Sequence, residues 1–405
     1  YFIQYIFYID QMKLINVDVV ICGGGLSGLI CCLALSKIGI STICIDKSAN
    51  NKPKQTDTRS TAYLNPSKNF LNNIGVWKHL SKNANPLKAL SIVNCNTGFP
   101  YNNIISETKF NAKEIFQNEF GWNIRNNQTK KILLELVNKH KLINFECDEI
   151  INIKENKENL TVYLKNKKQI NTKLLIGADG RNSFIRKHYN IKVEINSLDQ
   201  KAITFLIKHE NLHKDISYEI YKTGGPFTTV PLKNNVGNRS AVVWVDSKNK
   251  IDNLLKLNKE EFDKEVNLRS VNKLGNISVI SEIEIFSVTT QIAEKLVDNR
   301  MILIGEAAHA LPPIGAQGLN LTVKDIKEIY DLCKKNPLNI GDIEMVSKFN
   351  MKRLIDIKIR SKSVNFLNII SNSNKLFISK TRDFGLNFLG KVQPVKYLLM
   401  KFGLG

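Results

Sequence analysis

The chain has 405 residues, 43% of them hydrophobic, with 22 glycines and 10 prolines, which excludes a disordered or fibrous protein and leaves room for more than one packed unit. Lys and Arg outnumber Asp and Glu by 58 to 37, a formal charge of +21, but the lysines are scattered, as at Lys154, Lys157, Lys165, Lys167 and Lys168. That dispersion reads as solvated surface, with no nucleic-acid partner.

The seven cysteines, at 22, 31, 32, 44, 95, 147 and 333, form no CxxC pair and no Cys/His cluster of zinc spacing, so no metal site is expected and a reducing cytoplasm fits them best. Cys31 and Cys32 read as small core residues of a helix. Residues 1–12 are aromatic and apolar but too short to span a bilayer. With Met12 just ahead of the first convincing strand, they read as a ragged extension and not as a signal peptide.

Val17–Cys22 is an apolar run broken only by Asp18, followed by glycines, an apolar-rich stretch Leu29–Ile38 stopped by Gly39, and a second run Thr42–Ile45 ending at Asp46. The order strand, tight turn, helix, strand predicts a βαβ unit. Thr129–His140 predicts a helix, and Leu174–Ile176 a buried strand running into Gly177-Ala178-Asp179-Gly180. Lys201–Asp246 alternates and carries turn signals at Gly224-Gly225-Pro226 and Asn234–Asn238, a pattern of antiparallel strands. Met301–Ile304 predicts another buried strand, leading through a Pro/Gly loop to a helix from about Leu319. From Ile343 onward the pattern is helical, interrupted at Gly385, Gly390 and Pro394.

Gly23, Gly25 and Gly28 have the dinucleotide-fingerprint spacing. The first allows the tight turn, the second admits a pyrophosphate to the backbone, and the third lets helix and strand approach. Leu26 and Ser27 open the helix whose free N–H groups face the phosphates, and Asp46 stands where a carboxylate accepts ribose hydroxyls. The fingerprint alone leaves NAD and FAD both open.

Two further motifs separate them: Asp179-Gly180 after a buried strand, and Gly305-Glu306-Ala307-Ala308-His309 followed by Pro312-Pro313-Ile314-Gly315-Ala316-Gln317-Gly318-Leu319-Asn320. Together with the glycine loop, in this order, they resemble the flavoprotein aromatic hydroxylases, the single-component FAD monooxygenases that include para-hydroxybenzoate hydroxylase and the ubiquinone-biosynthesis hydroxylases. Asp57-Thr58-Arg59 resembles the family's D-x-R segment, and Asn126 falls where the ubiquinone branch often has Asn before a helix. Gly224-Gly225-Pro226-Phe227 with Val230-Pro231-Leu232, Arg353, Asp356 and Arg360, and Gln393-Pro394-Val395-Lys396 are similar to that branch, especially its alphaproteobacterial members.

The resemblance implies an α/β fold: a Rossmann-like FAD-binding domain (13–75, 121–190 and 290–335), interleaved with a mixed-sheet substrate domain (76–120 and 191–289), and a C-terminal helical region (336–405). It implies FAD contacts at Gly23, Gly25, Leu26, Ser27, Gly28, Asp46, Arg59, Asn126, Asp179, Gly180, Glu306, Gly315, Gln317, Gly318, Leu319 and Asn320. Pro312 and Pro313 form the substrate-facing catalytic loop, and no general base is assigned. Glu306 replaces the commoner Asp, keeping the carboxylate. His309 reads as a buried hydrogen-bonding residue, and Arg181 and Arg186 as either phosphate contacts or surface cations.

The implied activity is hydroxylation of the ring of a polyprenyl phenol by O₂ through a C4a-hydroperoxyflavin, with NAD(P)H or a partner reductase as electron source. The implied setting is a ubiquinone-biosynthesis complex in the cytoplasm. Another flavin enzyme of the superfamily, or a non-catalytic redox partner, is the alternative. Residues 361–405 mix lysines with Phe, Ile, Leu and Tyr: they meet the inner membrane face as amphipathic helices or cap the FAD domain, and both readings stand.

Overall fold

The computed structural model describes residues 14–48, 57–95, 104–222, 224–372, 396–397 and 400. The expectations for residues 1–12, and for the tail beyond 372 apart from Lys396, Tyr397 and Met400, lie outside them.

The first sheet is built on the parallel strands Met301–Leu303, Gln169–Gly177, Leu14–Cys22, Thr42–Ile45 and Ile143–Glu146, in that order. Val19, Val20 and Ile21 are all fully buried, as a parallel strand covered on both faces requires. Helix Leu26–Ser36 returns over the sheet and packs against the helices Asn126–Lys139 and Gln317–Lys335. Cys31 and Cys32 lie in the core of this layer. The strand expected at Leu174–Ile176 runs from Gln169, because its first half pairs with Leu160–Leu164 and alternates buried with half-buried residues. The helix expected from Thr129 begins at Asn126, its polar first turn hiding the start from an apolar count.

The second sheet runs Glu284–Ala293, Val193–His209, Arg239–Ser247, Pro226–Pro231, Ile216–Tyr221, Ala89–Cys95 and Ile104–Asn111, antiparallel except where Ile216–Tyr221 meets Ala89–Cys95. Its separate core, with Trp244, Phe227 and Phe205, lies under helices Lys248–Leu254 and Lys259–Ser270. A three-stranded sheet (Ser60–Leu64, Gly121–Arg125, Asn85–Leu87) stands beside them. Val76, Trp77, Leu80 and Ala84 pack into the first core, so that core reaches past residue 75.

The two sheets meet at one seam. The chain leaves the first sheet after Leu303, and His309–Ala310 then adds an edge to the second, opposite Ile292 and Gln291. It returns to the first layer as helix Gln317–Lys335. The long helix Ile343–Asn372 spans the same seam: Asn350 Oδ1 accepts from Leu296 N at 2.8 Å, Asn365 Oδ1 accepts from Thr290 Oγ1 at 2.6 Å, and Asn368 Nδ2 donates to Gln200 Oε1 at 3.1 Å. Among the described residues no helix is long and apolar enough to cross a membrane.

Candidate functional site: a cradle at the strand ends

The glycine loop is shaped by close backbone approach. A Cβ at Gly28 would lie 1.9 Å from the Gly23 carbonyl oxygen, and one at Gly23, where φ is +114°, would lie 2.3 Å from the Ala178 carbonyl oxygen. The loop, its helix and the Asp179-Gly180 segment are therefore in contact at a distance only glycine permits. At Gly25 and Gly180 an added Cβ meets nothing within 4 Å, so the cradle opens there. Helix Leu26–Ser36 starts behind Gly25 with no side chain capping it, which leaves its N–H groups for an anion.

Asp46 holds this loop from behind. Its Oδ2 accepts from Gly24 N at 2.5 Å, and its Oδ1 from the N and Oγ of Ser48 at 2.8 and 2.6 Å. Burial pulls this carboxyl's pKa upward, but the Ser48 and Gly24 hydrogen bonds and the charge of Lys130 outweigh that and leave it below the usual value. Asp179 uses Oδ2 to accept from Phe184 N and Ile185 N at 2.7 and 3.2 Å, while its Oδ1 is buried with no protein partner.

The distant motif comes to the same place. A Cβ on Gly305 would sit 2.9 Å from Ser27 Oγ, so the segment after the strand Met301–Leu303 abuts the first turn of the glycine-loop helix. Glu306 is exposed and pairs with Arg181 at 3.2 Å. Pro312 is buried and Pro313 exposed. Gly315 and Ala316 both have positive φ, and helix Gln317–Lys335 begins uncapped, with open space at Gly318 and with Gln317 and Leu319 half-exposed.

Not every expected contact residue presents its side chain. Asn320 donates to the carbonyls of Ala62 and Ala316 at 2.8 and 2.6 Å and accepts from Leu64 N at 3.0 Å, so it fastens the loop. Asn126 Oδ1 accepts from Thr61 Oγ1 at 2.7 Å. Arg59 is paired with Asp57 at 2.9 Å and lies over the Phe286 ring, bridging the first layer to the second sheet. Arg186 is neither a surface cation nor turned to a phosphate: it is buried, donating to the carbonyls of Ala307 and Arg181 at 2.8 and 2.7 Å.

Asp325 was not singled out from the sequence, although a carboxylate on the apolar face with Leu321 and Ile329 was a signal. Fully buried, it accepts from His309 Nε2 at 2.6 Å, Arg353 Nε at 2.9 Å and Gly305 N at 3.4 Å. Arg353 continues to Asp356 at 2.6 Å, Asp356 to Arg360 at 3.0 Å, and Arg360 donates to Gln317 Oε1 at 3.3 Å. This chain of ion pairs touches both halves of the distant motif. Burial raises the Asp325 pKa, but the charges and hydrogen bonds of His309 and Arg353 overcome this and hold it below the ordinary carboxylate value.

Two uncapped helix starts, glycine backbone open to the cleft and a buried acceptor without a partner among the described residues, with the glycine loop and Asp179-Gly180 at the carboxyl ends of parallel strands, define a dinucleotide-binding protein of the doubly wound class. The FAD binding domain family matches residues 16–335, and the chain belongs to that family. Its cofactor is FAD. The chain is similar to the ubiquinone hydroxylase UbiL of Rhodospirillum rubrum (24% identity, covering 96% of this chain and 89% of that protein) and to the 3-demethoxyubiquinol 3-hydroxylase of Escherichia coli (24%, covering 96% and 98%). Its fold is that of the p-nitrophenol 4-monooxygenase PnpA from Pseudomonas putida, with a TM-score of 0.77 at 17% identity over 97% of this chain and 99% of that one.

Asp325→Asn, which leaves buried Arg353 with Asp356 alone and His309 Nε2 without its carboxylate, should cost about 3 kcal/mol in denaturant unfolding at neutral pH. Because the folded Asp325 pKa is depressed, its contribution is complete above about pH 4 and is lost as the pH falls through the folded value. The gap between wild type and variant should therefore close on acidification, and a gap that widens would contradict this assignment.

Proposed function

We propose that this protein is an FAD-dependent monooxygenase that hydroxylates the ring of a polyprenyl phenol in ubiquinone biosynthesis. The observation that carries the reading is the abutment of Gly305 on Ser27, with helix Gln317–Lys335 packed on the glycine-loop helix, supported by similarity to ubiquinone hydroxylases along nearly the whole chain. When bound, FAD supplies the redox chemistry that activates O₂.

In this reading Gly23, Gly25, Leu26, Ser27 and Gly28 bind the diphosphate at the ADP end, with Asp46 on the ribose side. Asp179-Gly180 borders the same end. Glu306, held toward Arg181, takes ribityl hydroxyls. The uncapped start of helix Gln317–Lys335 offers its positive pole to charge developing at the flavin ring, with Gly315, Gln317, Gly318 and Leu319 in contact and Asn320 and Asn126 fixing the surrounding strands. Arg59 holds the second sheet against the cofactor side. Pro312 and Pro313 sit at the seam between the sheets, where an aromatic ring would meet the flavin and be shielded from water. Electrons come from NAD(P)H or a partner reductase.

Complementation of bacterial strains each lacking one ring hydroxylation, with the accumulated quinone intermediate identified by mass spectrometry, tests the substrate. Rescue of one strain is expected. Failure in every strain would remove the polyprenyl phenol while leaving FAD binding intact.

We further propose that the protein works at the periphery of the inner membrane face, alone or within a biosynthetic complex. Helix Ile343–Asn372 supports this: its outer face exposes Met351, Ile355, Ile359 and Phe366 beside Lys358 and Lys362, a mixture suited to an anionic interface. The holoprotein should float with phosphatidylglycerol vesicles, and the double variant Ile355→Asp, Ile359→Asp should float several-fold less. Equal flotation of both, or of neither, would refute contact through this face.

A further inference from the structure

The second sheet has two unlike faces. Ile203, Trp244, Phe227, Ile220 and Val93 are cross-strand neighbours, all fully or almost fully buried on the side of helices Lys248–Leu254 and Lys259–Ser270. One residue further along each strand, Glu284, Thr204, Val243, Thr228, Glu219 and Ile92 form a row on the other face. Val243, Thr228 and Ile92 lie in interior strands yet are only half-buried, so space stands above them.

That space faces the FAD-binding side. Thr58 Oγ1 donates to Glu284 Oε2 and meets Thr204 Oγ1, at 3.1 and 3.0 Å, and its neighbour Arg59 covers Phe286 in the adjacent row. Asn123 Nδ2 reaches the Pro231 carbonyl at 3.0 Å. Further along this wall stand Glu219, buried, and Tyr221, whose hydroxyl donates to the Glu219 carboxyl.

Resting on the hydroxylase reading, we propose that Glu219 and Tyr221 form the polar anchor of the substrate pocket, an acid–hydroxyl pair that hydrogen-bonds the ring hydroxyl of a neutral phenol and rejects a ring carboxylate. Burial pushes the Glu219 pKa up, opposed in part by the Tyr221 hydrogen bond; the shift favours the protonated carboxyl, which has an O–H to donate. A substrate carboxylate would have to be desolvated beside this acid with no cation in the pair to receive it. A site built to hydrogen-bond a hydroxyl also discriminates strongly against an analogue without one, whose binding strands the buried partners.

The test uses the FAD-loaded full chain and titrates 2-farnesylphenol, its methyl ether and 4-hydroxybenzoate, reading the flavin absorbance change on binding. The phenol should bind at least about tenfold more tightly than either analogue. Glu219→Ala should weaken the phenol about tenfold and abolish its preference over the ether. Glu219→Gln, neutral and able to hydrogen-bond, should stay within about threefold of wild type. Val243→Phe, which fills the space with a residue compatible with a strand, should remove phenol binding at unchanged FAD content. If Glu219→Ala does not retain FAD, Glu219→Gln and Val243→Phe decide. Phenol binding unchanged in FAD-loaded Glu219→Ala or in Val243→Phe, preferred binding of 4-hydroxybenzoate, or a large loss in Glu219→Gln would overturn the proposal. Failure of the hydroxylase reading has a different signature: wild type that binds the phenol through Glu219 but forms no hydroxylated product with a reductant and O₂.

Discussion

A carboxylate taken out of water costs several kcal/mol unless its partners meet it with good geometry, and Asp325 is such a group. Its partners come from separate segments: the backbone at Gly305, the side chain of His309, and Arg353 on the long C-terminal helix. None can move far without leaving charge buried and unpaired. The residue thus ties the strand end that carries Glu306 to the helix that crosses the seam, and through Asp356 and Arg360 to Gln317 at the start of its own helix. The role of His309 follows from this arrangement: it is buried structure, needed to satisfy Asp325, and the proposed chemistry asks for no nucleophile from the protein.

Around that fixed point the molecule divides its work. The first sheet supplies strand ends and helix starts, the elements that favour an anionic dinucleotide through oriented backbone groups. The second sheet supplies a wall with one face packed under two helices and the other packed only in part. Arg59, lying on Phe286, and the edge strand His309–Ala310 join the two. On the proposed reading a reacting ring would be confined between the second sheet and the loop of Pro312 and Pro313, and positioning and exclusion of water would be the protein's main contributions to catalysis.

Much of this was legible before any coordinates. The glycine spacing works at short range, so Gly23, Gly25 and Gly28 announced the turn, and the resemblance to the aromatic hydroxylases drew attention to the Gly305–Asn320 segment, whose first residue abuts Ser27. What stayed hidden depends on partners distant in sequence. Asn320 has the residue type of a ligand, but its amide is spent on Ala62, Leu64 and Ala316. Arg186 looked like a surface or phosphate-binding cation until two carbonyls claimed it. Glu219 and Tyr221 gained meaning only from strand register, since a shift of one residue would turn both toward the other face.

The central claim is that the glycine loop and the distant turn hold opposite ends of one FAD. Amide hydrogen exchange of the apoprotein and of the FAD-reconstituted protein tests it most directly. The expected result is that FAD slows exchange at Gly24–Gly28 and at Gly315–Leu319 together, at the same FAD concentration. Protection confined to Gly24–Gly28, with Gly315–Leu319 unchanged at saturating FAD, would contradict the account.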